Sequence, residues 1–324
     1  MDYQIAIVNS SSFGQYYPEH LERLEKIGRV ARVCIAGDAH GRELANVLRD
    51  FNVVISSVTP FFDAEFFEYK TDLLLLSRHG IGFNNVDVIA AKKAGTLVTT
   101  VSPRVERDAV AEGAVATLLD VMRRVSDSHV AANAGRWDDR ASFIGSGLSG
   151  KTLGIVGCGN IGSRVVEILR RGFDMRVLAY DPVQHEMWAD VLGVRYCGLD
   201  EVISQCDVLT LNADLNESSY HIINERTLSL MKKGVYVVDN ARADLIDQEA
   251  MLRALDNGTV AGLALDVMHD EPPAPDDPYF NHPKVLVTTH ISAYTRECLY
   301  GMGEKCVGDV ERFVRGEAPL NAKS

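Results

Sequence analysis

The sequence predicts an α/β protein with two doubly wound parallel-sheet domains. Short apolar runs alternate with amphipathic segments along the first part of the 324-residue chain, a glycine turn lies near its middle, and a second alternating series follows that turn. Strands that alternate with helices form parallel sheets, because each crossover helix returns the chain to the same end of the sheet. The late position of the turn implies that another α/β domain precedes it.

The first series predicts five strands and three helices. The strands are 4–8, 29–35, 53–55, 73–77 and 96–99, and the helices are 19–26, 42–48 and 86–94. Pro103 then marks the crossing out of the first α/β domain. A long amphipathic helix is predicted from Val105 to Val125, followed by an exposed arm over 131–150. Beyond the arm we expect strands near 153–156, 176–180, 207–211, 236–239, 261–265 and 285–288, and a terminal helix over 295–316.

The turn Gly157-Cys158-Gly159-Asn160-Ile161-Gly162 lies between a predicted buried strand and a segment with helical spacing of apolar residues. A strand, a G-x-G-x-x-G turn and a helix in that order are typical of a dinucleotide site, because glycines let the pyrophosphate approach the helix N-terminus. Asp181 ends the next strand, 19 residues after Gly162. Its carboxylate would bind ribose hydroxyls and repel a 2′-phosphate, which favours NAD over NADP. The alternative is a tight turn without a ligand.

Three predicted strands beyond the turn are followed by residues suited to carbonyl reduction. Arg242 follows strand 236–239, Glu271 follows the strand that ends at Asp266, and His290 follows strand 285–288. The carboxyl ends of parallel strands meet at one edge, where ligands bind. A histidine could donate the proton that the nascent alkoxide needs, a carboxylate could orient it and an arginine could bind a substrate carboxylate. Taken singly, the three could equally be a surface cation, a loop acid and a core histidine.

Composition excludes several function classes. The net charge of −12 argues against nucleic-acid binding, and the six cysteines show no C-x-x-C spacing, so we expect free thiols and no metal site. No signal peptide is recognisable and no segment approaches the ~20 apolar residues of a membrane span, so a soluble, cytoplasmic protein is expected. Of the remaining histidines, His79 could face a cleft, and six are expected at the surface, namely His20, His40, His129, His185, His221 and His282.

Together these motifs resemble the D-isomer-specific 2-hydroxyacid dehydrogenases. The resemblance rests on the glycine turn, Asp181, Asn240-Ala241-Arg242, Asp266 with Glu271-Pro272-Pro273, and the run from Thr289 to Thr295. In the first half, Arg78-His79-Gly80-Ile81-Gly82 is similar to the family's substrate loop, and Val110-Ala111-Glu112 resembles the start of its dimerisation helix. The resemblance implies a Rossmann cofactor domain inserted into a flavodoxin-like substrate domain, with domain bounds at 1–103, 104–294 and 295–324.

The resemblance also implies site roles. Arg242 would bind the substrate carboxylate and carbonyl, His290 would act as acid and base, and Glu271 would pair with His290. Backbone N–H groups around Gly80, Ile81 and Gly82 would complete the carboxylate site. NAD would be held by residues of the turn and of three strand ends, which are Gly157, Gly159, Asn160, Ile161, Gly162, Asp181, Asn240, Ala241 and Asp266. A homodimer is expected, and closure of the domains would expel water from the reacting groups.

Two positions depart from the family pattern, and the substrate is left open. Gly113 replaces a usual histidine, and Asp214 stands where proline is common. The loop 56–62 lacks the basic residues of phosphoglycerate-using members, and no room is expected for an appended regulatory domain. A small 2-keto acid such as pyruvate, glyoxylate or hydroxypyruvate, or a bulkier relative, is favoured. The alternatives are a phosphoglycerate dehydrogenase and an NAD-sensing protein similar to the corepressors built on this fold.

Overall fold

The computed structural model describes residues 2–323, which form two compact α/β units. One unit contains the chain up to Glu106 together with the segment from Tyr294 onward, and the other is Arg107–Ala293. Every strand pair in both units is parallel. The predicted fold class is therefore confirmed.

The first unit begins with five strands and four helices. The strands are β1 (Tyr3–Val8), β2 (Gly28–Val33), β3 (Val53–Ser56), β4 (Leu75–Arg78) and β5 (Leu97–Thr99). The helices are α1 (Glu19–Glu25), α2 (Gly41–Val47), α3 (Ala64–Tyr69) and α4 (Val88–Ala94). The sheet order β2-β1-β3-β4-β5 is the flavodoxin-like order.

Helix α3 was not predicted, because six residues are too few to display a helical period. It begins where the carboxylate of Asp63 accepts a hydrogen bond from the Phe66 N–H at 2.8 Å. Phe66 is buried against Phe62, and the two rings meet edge to face with centroids 5.1 Å apart. Phe62, considered above as part of the loop after β3, is thus a core residue.

The second unit contains seven strands. It begins within α5 (Pro103–Arg123), which is followed by α6 (Val125–Asn133) and a 3₁₀ turn (Trp137–Phe143). The strands are β6 (Thr152–Val156), β7 (Arg176–Tyr180), β8 (Val194–Tyr196), β9 (Val208–Leu211), β10 (Val235–Asp239), β11 (Val260–Leu265) and β12 (Val285–Val287). The helices among them are α7 (Asn160–Phe173), α8 (Glu186–Leu192), α9 (Leu199–Gln205), α10 (Glu225–Leu230) and α11 (Gln248–Asp256).

The order of this sheet is β12-β11-β10-β9-β6-β7-β8, so the direction of winding reverses between β6 and β9. This is the Rossmann order, extended by one strand. The predicted continuation of α5 to Val125 is wrong: Arg124 has a left-handed backbone (φ 54°), which ends the helix, and Val125 is exposed. Short β8 was missed, since three residues carry no readable alternation.

The terminal helix α12 (Arg296–Val314) returns to the first unit. Its buried residues Cys306, Val307 and Val310 join the core formed by β1, β3 and β4. The prediction of His20 as a surface residue is wrong: it is 1% exposed, and its Nε2 lies 3.0 Å from Glu304 Oε1 on α12. Over residues 2–323, no helix has the length and apolar content to cross a membrane.

Candidate active site

The glycine turn shows two tight contacts and one open position. A Cβ on Gly157 would lie 2.5 Å from the Ala213 N, and one on Gly162 would lie 2.1 Å from the Gly157 O, so backbone packing excludes side chains at both. A Cβ on Gly159 would meet nothing within 4 Å. Gly159 caps the N-terminus of α7, where the free N–H groups favour an anion. The turn therefore fits a pyrophosphate.

Asp181 directly follows β7 and is hydrogen-bonded to this turn. Its carboxylate accepts hydrogen bonds from the Cys158 N–H at 2.6 Å and from the Val183 N–H at 2.8 Å. The carboxylate thus shapes the glycine turn as well as lying at the end of β7, where the sequence predicts ribose binding. Burial raises the pKa of the Cys158 thiol to about 12, so this cysteine is unreactive despite its place in the turn.

The structure brings together the predicted acid–base pair. His290 Nδ1 lies 2.7 Å from Glu271 Oε2, and Glu271 Oε1 accepts the Met268 N–H at 3.1 Å. Burial lowers the pKa of His290, but the hydrogen bond and the charge of Glu271 outweigh it, so the pKa is raised overall. An imidazole held through Nδ1 has Nε2 left for a proton transfer.

The backbone of His290 is left-handed (φ 56°), a conformation that non-glycine residues adopt only under constraint. The constraint comes from Asp266, which is 1% exposed. Its carboxylate accepts the Thr288 hydroxyl at 2.6 Å and the N–H groups of Ile291 and Ser292 at 2.8 Å each. Asp266, predicted to bind the nicotinamide amide, therefore also fixes both sides of His290.

Arg242 follows β10, the neighbour of β11, and Asp266 comes directly after β11. Arg242 is half-buried, and its guanidinium donates to the Ala241 carbonyl at 2.6 Å. Asp239, the last residue of β10, is fully buried. Burial raises the pKa of its carboxyl to about 7, although its Oδ1 accepts the Ala241 N–H at 2.8 Å. A cation, an imidazole and three carboxyl groups therefore lie at the ends of the adjacent strands β10, β11 and β12.

A second histidine–carboxylate pair lies near these strand ends and was not predicted from the sequence. His269 Nδ1 lies 2.8 Å from Asp244 Oδ1 and so joins the loop of Glu271 to the turn after Arg242. No local signal predicts this contact, since its two residues follow different strands and have no motif in common.

The predicted substrate loop belongs to the first unit. Arg78 is 2% exposed, and its guanidinium donates to the carbonyls of Ser56 at 2.9 Å and Gly82 at 2.8 Å, so it supports the loop from within. The Ile81 N–H, predicted as a substrate donor, donates here to Glu106 Oε1 at 2.9 Å. His79 is buried, and burial lowers its pKa to about 3, so it is neutral at physiological pH.

Residues 115–292 match the family model described as D-isomer specific 2-hydroxyacid dehydrogenase, NAD binding domain. The chain belongs to this family. A glyoxylate reductase from Korarchaeum cryptofilum is 34% identical over 85% of this chain and 83% of its own length. D-3-phosphoglycerate dehydrogenase from Bacillus subtilis is 33% identical over 85% of this chain, which spans 52% of that relative.

A solved structure supports the cofactor as well as the fold. D-Lactate dehydrogenase from Aquifex aeolicus, complexed with NAD and lactic acid, superposes with a TM-score of 0.83 at 28% identity and covers 97% of this chain and 96% of its own. This chain is thus an oxidoreductase of the 2-hydroxyacid dehydrogenase type, and its cofactor is NAD.

Proposed function

We propose that this dehydrogenase reduces a small 2-keto acid to the D-2-hydroxy acid, or catalyses the reverse reaction. The 2.7 Å contact between His290 Nδ1 and Glu271 Oε2, with Arg242 two strands away, is the observation that supports this most directly. NADH, when bound, supplies the hydride to the carbonyl carbon. His290 donates a proton from Nε2 to the carbonyl oxygen, and Glu271 stabilises the charged imidazole before that transfer.

The remaining roles concern binding and orientation. Arg242 binds the substrate carboxylate, for which its planar fork of donors is suited. Backbone N–H groups of Gly80, Ile81 and Gly82 are further substrate donors, and the Ile81 N–H would exchange Glu106 for the substrate. The cofactor is held by groups at the strand ends and the turn, namely Gly157, Gly159, Asn160, Ile161, Gly162, Asp181, Asn240, Ala241 and Asp266.

The chemistry of the loop 56–62 favours a substrate without phosphate. The loop contains no lysine or arginine, and the nearby guanidinium of Arg78 is bonded to the carbonyls of Ser56 and Gly82. A phosphate would need cationic donors. Glyoxylate, pyruvate and hydroxypyruvate therefore fit this loop better than a phosphorylated acid, and relatives named glyoxylate reductase are consistent with that choice.

A panel of 2-keto acids with NADH tests the proposal, with oxidation of NADH followed by its absorbance. We expect turnover of at least one small unphosphorylated acid, and loss of about 10²–10⁴-fold in kcat for His290→Ala with nearly unchanged NADH binding. The matched control is His269→Ala, which removes another carboxylate-paired histidine that follows a strand of the same sheet. No turnover on any acid, with NADH bound, would instead favour the NAD-sensing alternative, and turnover confined to a phosphorylated acid would favour the phosphoglycerate alternative.

Asp181 is proposed to select NAD over NADP. Asp181→Ser would remove the repulsion of a 2′-phosphate, so the ratio of kcat/KM for NADPH to that for NADH should rise. The substitution also removes an acceptor from the Cys158 N–H, so the stability of the turn should be followed by thermal unfolding in the same samples. An unchanged cofactor ratio in a folded variant would show that the acid serves only the turn.

We also propose a homodimer that uses the segment 125–144. Four apolar side chains there are strongly exposed: Val125 at 59%, Val130 at 61%, Trp137 at 73% and Ile144 at 82%. Exposed apolar residues gathered in one segment are typical of an interface. Light scattering of the eluted protein should give twice the mass of one chain, and Trp137→Asp should shift it toward the monomer.

A further inference from the structure

A close contact in the second unit joins the long helix α5 to the loop of His290. A Cβ on Gly113 would lie 2.9 Å from both Cβ and Oγ of Ser292 and 3.0 Å from its Cα. Contacts this short leave no room for any side chain at position 113. Gly113 lies inside a helix, where glycine is disfavoured relative to alanine, so a packing requirement accounts for its presence.

Ser292 is bonded on its other sides to the strand ends of the site. Its hydroxyl accepts a hydrogen bond from Asn240 Nδ2, which precedes the Ala241-Arg242 turn, and its N–H donates to Asp266 Oδ2 at 2.8 Å. Ser292 is 8% exposed. It therefore lies between α5, the end of β10 and the end of β11, two residues after His290.

We propose that Gly113 and Ser292 are positioning residues for His290: the missing side chain at 113 lets Ser292 lie directly against α5, and this contact, with the hydrogen bond from Asn240, fixes the loop that carries the imidazole. The proposal rests on the acid–base role of His290 proposed above. It assigns a purpose to the residue by which α5 departs from the family pattern.

The geometry explains why the contact matters to the chemistry. His290 keeps a left-handed backbone only while both sides of its loop are held, by Thr288 before it and by Ile291 and Ser292 after it. A methyl group at position 113 would push the Ser292 backbone away from α5. Because the loop is short, that displacement moves His290 relative to Glu271, and a shift near 1 Å in a catalytic group costs about 10²-fold in rate.

The test compares Gly113→Ala, Ser292→Gly and their combination in the keto-acid assay. Gly113→Ala should lower kcat by about tenfold to a hundredfold, with NADH affinity changed less than about twofold. It should also move the alkaline limb of the reduction profile to lower pH, because His290 loses part of its contact with Glu271. In the double variant the serine Cβ and Oγ are absent, so it should recover several-fold of the rate lost by Gly113→Ala.

Gly308→Ala is the matched control. Gly308 is also a partly exposed glycine within a long helix, α12, but a Cβ there would meet nothing within 4 Å. Its kcat and pH profile should equal those of the wild type, and its unfolding midpoint should be equal or slightly higher. If Gly113→Ala does not fold, Ser292→Ala replaces it: loss of the acceptor for Asn240 should lower kcat several-fold and shift the same pH limb.

The outcomes separate the inference from the function on which it rests. A wild-type rate for His290→Ala would overturn the proposed function and, with it, this inference. A large loss for His290→Ala together with a wild-type rate and pH profile for Gly113→Ala would overturn the inference alone. A lower unfolding midpoint for Gly113→Ala without a change in pH profile and without recovery in the double variant would also overturn it, since only packing would then be affected.

Discussion

The charge of Glu271 sets the protonation of His290. Burial lowers the pKa of this imidazole, and the hydrogen bond and charge of Glu271 raise it by more. Reduction uses protonated His290, so its rate falls as the pH rises through the raised pKa. Glu271→Gln keeps the burial and removes the charge, so the alkaline limb of kcat for reduction should move to lower pH.

The matched control for this shift is Asp244→Asn, which removes the carboxylate paired with His269 at 2.8 Å. Its alkaline limb should coincide with that of the wild type. Full pH profiles in both reaction directions provide the measurement. A limb that stays in place for Glu271→Gln would show that another group titrates, whatever the loss in kcat.

The buried carboxyl of Asp239 should make the stability of the protein depend on pH. Burial raises the pKa of its carboxyl to about 7, from an ordinary value near 3.8, and its Oδ2 has no hydrogen-bond partner within residues 2–323. Between these two values the folded chain holds a proton that the unfolded chain has lost, so this group makes the free energy of unfolding fall as the pH rises. Asp239→Asn removes the titrating carboxyl and with it this fall in the free energy of unfolding.

The variant should therefore gain stability relative to the wild type as the pH rises from about 4 to about 7, and the gain should stay constant above that range. Urea unfolding at several pH values, with the exposed Asp276→Asn as control, measures the difference. An equal difference between Asp239→Asn and the wild type at every pH would contradict a titrating buried carboxyl.

At the scale of elements, apolar runs and helical spacing predicted most strands and helices. The strand ending at Val8 is an apolar run and the helix that follows the glycine turn has a clear helical period, and both were predicted within a few residues. Helix α3 is too short to show a helical period, and β8, unlike the equally short β5 and β12, is not an apolar run. The burial of His20 was missed because its partner, Glu304, is distant in sequence, and burial of a polar residue depends on such partners.

Attachment of α12 to the sheet of the first unit depends on one buried acid. Asp309 is 2% exposed, accepts the Ser77 hydroxyl at 2.9 Å and the hydroxyl of Thr99, and pairs with Lys305. Asp309→Ala should lower the free energy of unfolding by about 3 kcal/mol or more, because it leaves Lys305 buried without its partner charge.

The double variant Lys305→Met/Asp309→Leu should lose less than Asp309→Ala, since it leaves no buried charge. Glu249→Ala is the control, because it breaks an exposed pair with Arg253 at the same helical spacing and should cost less than about 1 kcal/mol. Chemical denaturation of the four proteins gives the comparison. Equal losses for Asp309→Ala and Glu249→Ala would mean that the buried pair does not stabilise the helix.

For the molecule as a whole, the order of motifs along the chain predicted more than any single motif. The late glycine turn and the strand-end residues Arg242, Glu271 and His290 were sufficient to predict two parallel-sheet domains and a reduction chemistry. The contact of Gly113 with Ser292 was not predictable, because it joins a helix and a loop far apart in sequence. Sequence patterns report which residues share an element, whereas contacts between elements depend on packing.

The division of the chain into two units indicates which part can fold alone. The two apolar clusters of the second unit contain only residues of that unit, whereas one cluster of the first unit combines Ile5, Ile7 and Leu75 with Val307 and Val310 of α12. The first unit therefore needs both ends of the chain, and the second unit holds its entire core within Arg107–Ala293. Burial of each valine side chain stabilises by about 1.5–3 kcal/mol, so α12 is a large part of the stability of the first unit.

We therefore expect the fragment Arg107–Ala293 to fold cooperatively alone and to bind NADH, because it retains the glycine turn and Asp181. A chain that stops after Ala293 should keep this transition and lose or markedly lower the transition of its first unit, since Val307 and Val310 no longer cover the sheet. Calorimetric unfolding of the full chain, the fragment and the shortened chain measures both transitions, and NADH fluorescence reports binding. Unchanged unfolding of the first unit without α12 would show that its core closes without the terminal helix.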